Sequence, residues 1–202
     1  VAYFGFMNRS KGIEILLHDI ADLIHNHYPI KLVMIGGRTG TSDPANVAYA
    51  EQIDALIDEL DLNAHVYQTG FLDNQDVSAF LQVADAVALP FRDGASYRRG
   101  SLMAAIAHGC AIIATTPSVD IPAFVHGENM LLAKSHIIDR NTPPYRHISQ
   151  ELLRLYRDAD LRKKLRHGAG ELASTFDWST IANEYITFFE REQLLFPRIR
   201  NR

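Results

Sequence analysis

The stretch AVALPFRDGASYRRGSLMAAIAHGCAIIA, residues 86–114, decides the fold. Ala86-Val87-Ala88-Leu89 is a short apolar run stopped by Pro90, and Ala111-Ile112-Ile113-Ala114 is a second one. Between them lie a glycine-containing loop with two arginines and a helix of small residues closed by Gly109. Strand, helix and strand in this order form a crossover unit of a parallel sheet buried on both faces. The amino end of such a helix offers unpaired backbone N–H groups and the positive end of its dipole. Gly94, Arg98, Arg99, Gly100 and Ser101 placed there make an anion site, with phosphate the best fit. A buried helix with solvated loop arginines is the plain alternative, and spacing alone does not separate the two.

The same alternation extends outward in both directions. Val1–Phe4 ends at Gly5, and a helix over 11–26 follows, with Ile13, Leu16, Leu17, Ile20 and Ile24 at helical spacing. Leu32–Ile35 is a strand ending in Gly36-Gly37, and Asp43-Pro44 starts a helix carried by Ile53, Leu56, Ile57 and Leu60. His65–Tyr67 is a strand ending at Gly70, and Asp73 caps a helix that buries Val77, Phe80, Leu81 and Ala84. A last short strand falls at Met130–Leu132. The expected core, residues 1–135, is therefore a Rossmann-like, doubly wound α/β unit of about six parallel strands with helices on both faces. In such sheets ligands bind beyond the carboxyl ends of the strands, where Gly5, Gly36-Gly37, Gly70 and Pro90 all fall. Residues 136–148, with His136, Asp139, Pro143 and Pro144, suit an exposed connection. Helices without strands follow over 149–158, 159–174 and 178–192, forming a helical tail over 149–192. Trp178, Ile181, Tyr185, Phe188 and Phe189 give the last helix an aromatic face, and the 193–202 tail carries Leu194, Leu195, Phe196 and Ile199.

The chain of 202 residues has room for one domain with a substantial core, and 47% hydrophobic and 22% charged residues are globular proportions. A net charge of −4 argues against a general nucleic-acid binder, and no apolar run is long enough to span a bilayer. The start at Val1, inside an apolar stretch, reads as a piece whose missing part lies upstream. The single cysteine, Cys110, sits beside an apolar strand and reads as a buried, inert thiol. Nine histidines are scattered without supporting ligand spacing, so no metal site is expected; His108 suits the end of its helix, and His126-Gly127-Glu128-Asn129 reads as a turn. Arg9 and Lys11 stand at the first strand-to-helix turn, where cations oppose the helix dipole; an anionic ligand gives a reason for them, and solvated surface cations are the alternative. Gly36-Gly37-Arg38-Thr39-Gly40 is either a close approach to a ligand or a turn, and it lacks the dinucleotide fingerprint.

Taken in order, these pieces resemble the C-terminal, nucleotide-sugar-binding domain of GT-B fold glycosyltransferases, of the large retaining family called group 1 or family 4. GFMNRSKG looks like the family's donor-phosphate turn, LVMIGG like its second strand and glycine turn, and GSLMAAIAHGCAIIATTP like its helix–glycine–strand block. VYQTGFLDNQDVSAFLQVADAVALPF, FVHGENMLL and FDWSTIANEY are similar to the base-holding loop, a later glycine turn and the terminal helix. The resemblance implies a domain over 1–192 that is one half of a GT-B fold, with an N-terminal acceptor domain absent from this chain. It implies Arg9 and Lys11 as catalytic cations, and Ser96, Arg98, Arg99, Gly100 and Ser101 as donor-diphosphate ligands. Gly5, Gly36, Gly37, Gly70, Phe71 and Leu72 would line the nucleotide.

Phe6 replaces the arginine that the family pattern has after the first glycine, and Ser96 and Ala104 stand where it has two glutamates eight positions apart. In the family the first glutamate meets sugar hydroxyls and the second the ribose, so how this chain reads either group is open. The implied reaction is transfer of a sugar from a nucleotide-diphosphate donor, with retention and without cofactor or metal, fixed cations stabilising the leaving diphosphate. The implied setting is bacterial and cytoplasmic, with peripheral attachment to the inner membrane face left open. The apolar C-terminal helix serves either the missing domain or a homodimer. A sugar-nucleotide epimerase of the same architecture and a non-catalytic binding domain are the competing readings, and the piece alone is expected to transfer little or no sugar.

Overall fold

The computed structural model describes residues 1–38, 44–134 and 146–195. Six strands, β1 (Ala2–Phe4), β2 (Leu32–Ile35), β3 (Val66–Gln68), β4 (Val87–Leu89), β5 (Ile112–Thr115) and β6 (Leu131–Ala133), form one sheet in the order β3-β2-β1-β4-β5-β6. Every pairing within it is parallel. The helices are α1 (Ile13–His25), α2 (Pro44–Glu59), α3 (Asn74–Val83), α4 (Gly100–Ala107), α5 (Arg146–Arg157), α6 (Ala159–Ser174) and α7 (Trp178–Leu195). The fold is the doubly wound α/β unit with a helical C-terminal region that the sequence predicts. Strand order reverses between β1 and β4, so the crevice at their carboxyl ends is the switch point where such sheets bind ligands.

Alternation along each strand builds two cores. Tyr3, Ala88, Ile113, Leu131 and Ala133 face α1, α2 and α5 through Leu16, Leu17, Ile53, Leu152 and Leu155. Ala2, Val87, Leu89, Ile112 and Ala114 face α3, α4 and α6 through Leu81, Leu102, Ala105, Ile106 and Ala169. Fully burying one such large side chain is worth about 1.5–3 kcal/mol, which is why the strands read as unbroken apolar runs. Cys110 belongs to the second core, and burial pushes its thiol up to about 11, as an inert cysteine requires.

One local expectation changes. The helix expected from residue 11 begins at Ile13, because Gly12 takes φ 66° and separates it from a single 3₁₀ turn at Arg9–Lys11. That turn is capped by Asn8, whose side chain accepts from the Ser10 N–H at 2.9 Å. The aromatic face of α7 is open: Trp178 is 82% and Phe189 58% exposed. The Asp73 cap forms as expected, accepting from the Gln75 and Asp76 N–H groups at 2.9 Å. The Asp43 cap, Thr39-Gly40, the 136–145 connection and the 196–202 tail lie outside the described residues. Among the described residues no helix is long and apolar enough to cross a membrane.

One buried carboxylate has no expectation behind it. Asp19 of α1 is fully buried, facing Ile148 and Ser149 at the amino end of α5. Burial raises its pKa from 3.8 to about 7; hydrogen bonding by the Ser149 hydroxyl and the Ile148 and Ser149 N–H groups of α5 pulls it down, and Asp22 pushes it up. The folded chain therefore holds this proton more tightly than the unfolded one, so stability falls as pH rises through the window from 3.8 to about 7. Urea midpoints measured across that window should decline for the natural chain and flatten for Asp19→Asn. An equally steep decline in the variant would contradict the assignment. Two glycines of α6 give a second check. A Cβ on Gly168 would overlap the Glu128 carbonyl oxygen, whereas one on Gly170 meets nothing within 4 Å. Gly168→Ala should cost about 2 kcal/mol of unfolding free energy and Gly170→Ala should add about 1 kcal/mol.

Candidate functional site

Close approach of two segments builds the site: the β1–α1 turn and the β4–α4 loop. Gly12 meets Pro90 so tightly that a Cβ would overlap the Pro90 carbonyl oxygen. The Arg92 N–H donates to the Ser10 carbonyl at 3.1 Å. Glu14, in the first turn of α1, accepts from Arg92 Nε at 2.8 Å, from Arg92 Nη2 and from the Tyr49 hydroxyl. From its other side the loop is held to β5. Gly94, at φ 85°, lies 2.9 Å from the Ser118 nitrogen at its would-be Cβ, and the Ala95 N–H donates to the Thr115 carbonyl at 2.9 Å.

This clasp places Lys11 and Arg99 together. Lys11 Nζ donates to Ser101 Oγ at 3.1 Å and stands 3.7 Å from where a Gly5 Cβ would be. Arg99 is the N-terminal cap residue of α4; its Nη1 donates to Ser10 Oγ at 3.2 Å and its Nη2 pairs with Asp93. Both cations lie over the ring of Phe91, Lys11 Nζ at 5.1 Å and Arg99 Cζ at 4.9 Å from its centroid. Burial, and then the charge of Arg99, lowers the Lys11 pKa; burial lowers that of Arg99. Lys11 makes no ion pair among the described residues. Gly100 is exposed with open space around its Cα, and neither its N–H nor that of Ser101 has an acceptor among the described residues. Those N–H groups are the dipole end that the sequence reading assigns to an anion.

The other expected residues divide. Gly5, Gly36 and Gly70 meet at the sheet's carboxyl edge: the Gly5 N–H donates to the Ile35 carbonyl at 3.0 Å, and Gly36 bridges Gly70. A Cβ on Gly36 would stand 3.0 Å from the Gly5 carbonyl oxygen, so this glycine serves a close approach of backbone to backbone. Gly37 lies against the half-exposed ring of Phe6, Phe71 is 81% exposed, and Leu72 packs on the second core. Arg9 is exposed and donates to Gln52 of α2 at 3.4 Å. Arg98 is exposed and makes no hydrogen bond or ion pair among the described residues, unlike its neighbour Arg99. Ser96 is half-buried and its carbonyl accepts from the Arg99 N–H at 3.0 Å; Ala104 packs into the second core.

His108, expected only to suit the end of its helix, clamps α4 to α3. Its Nδ1 lies 2.7 Å from the Ala104 carbonyl and its Nε2 2.9 Å from Ser78 Oγ. No cluster of three potential metal ligands occurs among the described residues. Sequence reasoning missed Ser10, Phe91 and Asp93, which hold Arg99; an aromatic and an acid next to the arginine loop were the available signal.

A family model described as glycosyl transferases group 1 matches residues 1–158, and the chain belongs to that family. It is 25% identical over 194 residues to the D-inositol 3-phosphate glycosyltransferase of Corynebacterium jeikeium, covering 94% of this chain and 43% of that protein. Its fold matches Anabaena HepE, solved in complex with UDP, at a TM-score of 0.77 and 18% identity over 94% of this chain and 48% of that one. It also matches the C-terminal domain of the group 1 glycosyl transferase LpcC from Francisella tularensis, at a TM-score of 0.70 and 20% identity, covering 87% and 84% of the two chains. The chain thus has the architecture of one half of a GT-B fold and spans under half the length of the first two proteins.

Proposed function

We propose that the crevice between β1 and β4 holds the diphosphate of a nucleotide-sugar donor, and that this domain is the donor half of a retaining glycosyltransferase. One observation carries the reading: Lys11 and Arg99, both partly desolvated, share one aromatic ring beside the open amino end of α4. Like charges gathered out of water are unfavourable until an anion joins them. The UDP complex of Anabaena HepE, a protein of the same fold, supports a nucleotide as that anion.

The glycine edge at Gly5, Gly36, Gly37 and Gly70 leaves room for the nucleoside, with Phe71 and Leu72 beside it. As the bond to the sugar breaks, negative charge grows on the leaving diphosphate. Lys11, Arg99 and the N–H groups of Gly100 and Ser101 stabilise that charge through a fixed arrangement that needs no reorganisation. Arg9 and Arg98 act from the rim. The acceptor belongs to the other half of a longer protein, so this chain by itself binds the donor and transfers little sugar.

Calorimetric titration with UDP, GDP and ADP tests the site. Lys11→Ala and Arg99→Ala should each weaken the preferred diphosphate by about 1.5–3 kcal/mol. Arg98→Ala, at an exposed position, should cost less than about 1 kcal/mol. Absence of binding by every nucleoside diphosphate, in this chain and in the full-length protein, would instead favour a non-catalytic interaction domain.

A further inference from the structure

We propose that Phe91 is a positioning residue of the site, its ring face holding Lys11 and Arg99 at one place before any anion arrives. This inference rests on the diphosphate reading above. The ring is fully buried, and its backbone is fixed at the end of β4: its N–H donates to the Leu89 carbonyl at 2.9 Å, and its carbonyl accepts from the Thr115 hydroxyl. Lys11 Nζ and Arg99 Cζ approach the same ring at nearly equal distances, 5.1 and 4.9 Å.

The two cations differ in what else they have. Arg99 pairs with Asp93 and donates to Ser10. Lys11 donates only to the neutral hydroxyl of Ser101 and makes no ion pair among the described residues. A half-buried ammonium beside a guanidinium would be driven outward unless something negative faced it. The aromatic face is that negative surface, since its quadrupole attracts both charges. A carboxylate in the same place would also gather the cations, but it would cancel their charge and repel the incoming phosphate. A ring gathers them and leaves the positive potential intact. It also presents no oxygen that a ligand must displace.

Replacing Phe91 with mono-, di- and trifluorophenylalanine drains the negative face in steps while nearly preserving ring volume. In the 202-residue chain, affinity for inorganic pyrophosphate should fall with each fluorine, by about tenfold over the series, at a constant thermal midpoint. A ring that merely fills space predicts unchanged affinity, and a ring that competes with the anion for the cations predicts a rise; either result overturns the proposal. Lys11→Ala with the natural ring separates the two levels. If it weakens pyrophosphate binding while fluorination does not, the role of Phe91 fails and the anion site stands. If neither change matters, the diphosphate reading itself has failed.

Discussion

The site depends on one close approach, that of Gly12 to the carbonyl of Pro90. Any side chain at Gly12 would overlap that oxygen, and the left-handed backbone at φ 66° favours glycine. With the two segments in contact, Arg92 donates its N–H to Ser10 and its guanidinium to Glu14, which closes the seam. Lys11 then lies beside the amino end of α4, although 90 residues separate it from Ser101 in the chain. The sheet makes this possible because β1 and β4 are neighbours at the point where strand order reverses. Topology brings the segments near, and a missing Cβ lets them touch.

From that contact follow the electrostatics. Lys11 and Arg99 lose water without gaining a balancing acid for both, and each is held by neutral groups that leave their charge uncancelled, a hydroxyl and the Phe91 ring. The exception is Asp93, which pairs with Arg99 from the solvent side, its side chain 60% exposed. The rest of the scaffold keeps the pieces rigid. Gly94 lets the loop press against the segment after β5, and Tyr97 packs edge-on against Phe124 and Phe176 at ring separations of 5.0 and 5.2 Å. The loop that carries Arg98 and Arg99 is thereby tied both to the sheet and to the end of α6.

The fold was legible because its information is local. Leu32–Ile35 and Ile112–Thr115 are buried on both faces and cannot show alternation, so they stand out as apolar runs between amphipathic helices. Asp73 declares its helix start by side-chain chemistry. The site was legible only in outline. Glycines and cations at strand ends pointed to the edge where Gly5, Gly36 and Gly70 meet, but Arg98 and Arg99 read alike, and only loop geometry turns one to solvent and the other to Asp93 and Phe91. The Glu14–Arg92–Tyr49 cluster joins residues up to 78 positions apart and has no local pattern. Gly12 read as part of a turn, whereas its function is to be absent as a side chain against Pro90.

A crystal structure of the chain grown with UDP tests the central claim most directly. The account predicts the diphosphate between Lys11 Nζ and the Arg99 guanidinium, with phosphate oxygens accepting from the Gly100 and Ser101 N–H groups. A diphosphate bound away from the α4 amino end, with Lys11 still on Ser101 and Phe91, would contradict it.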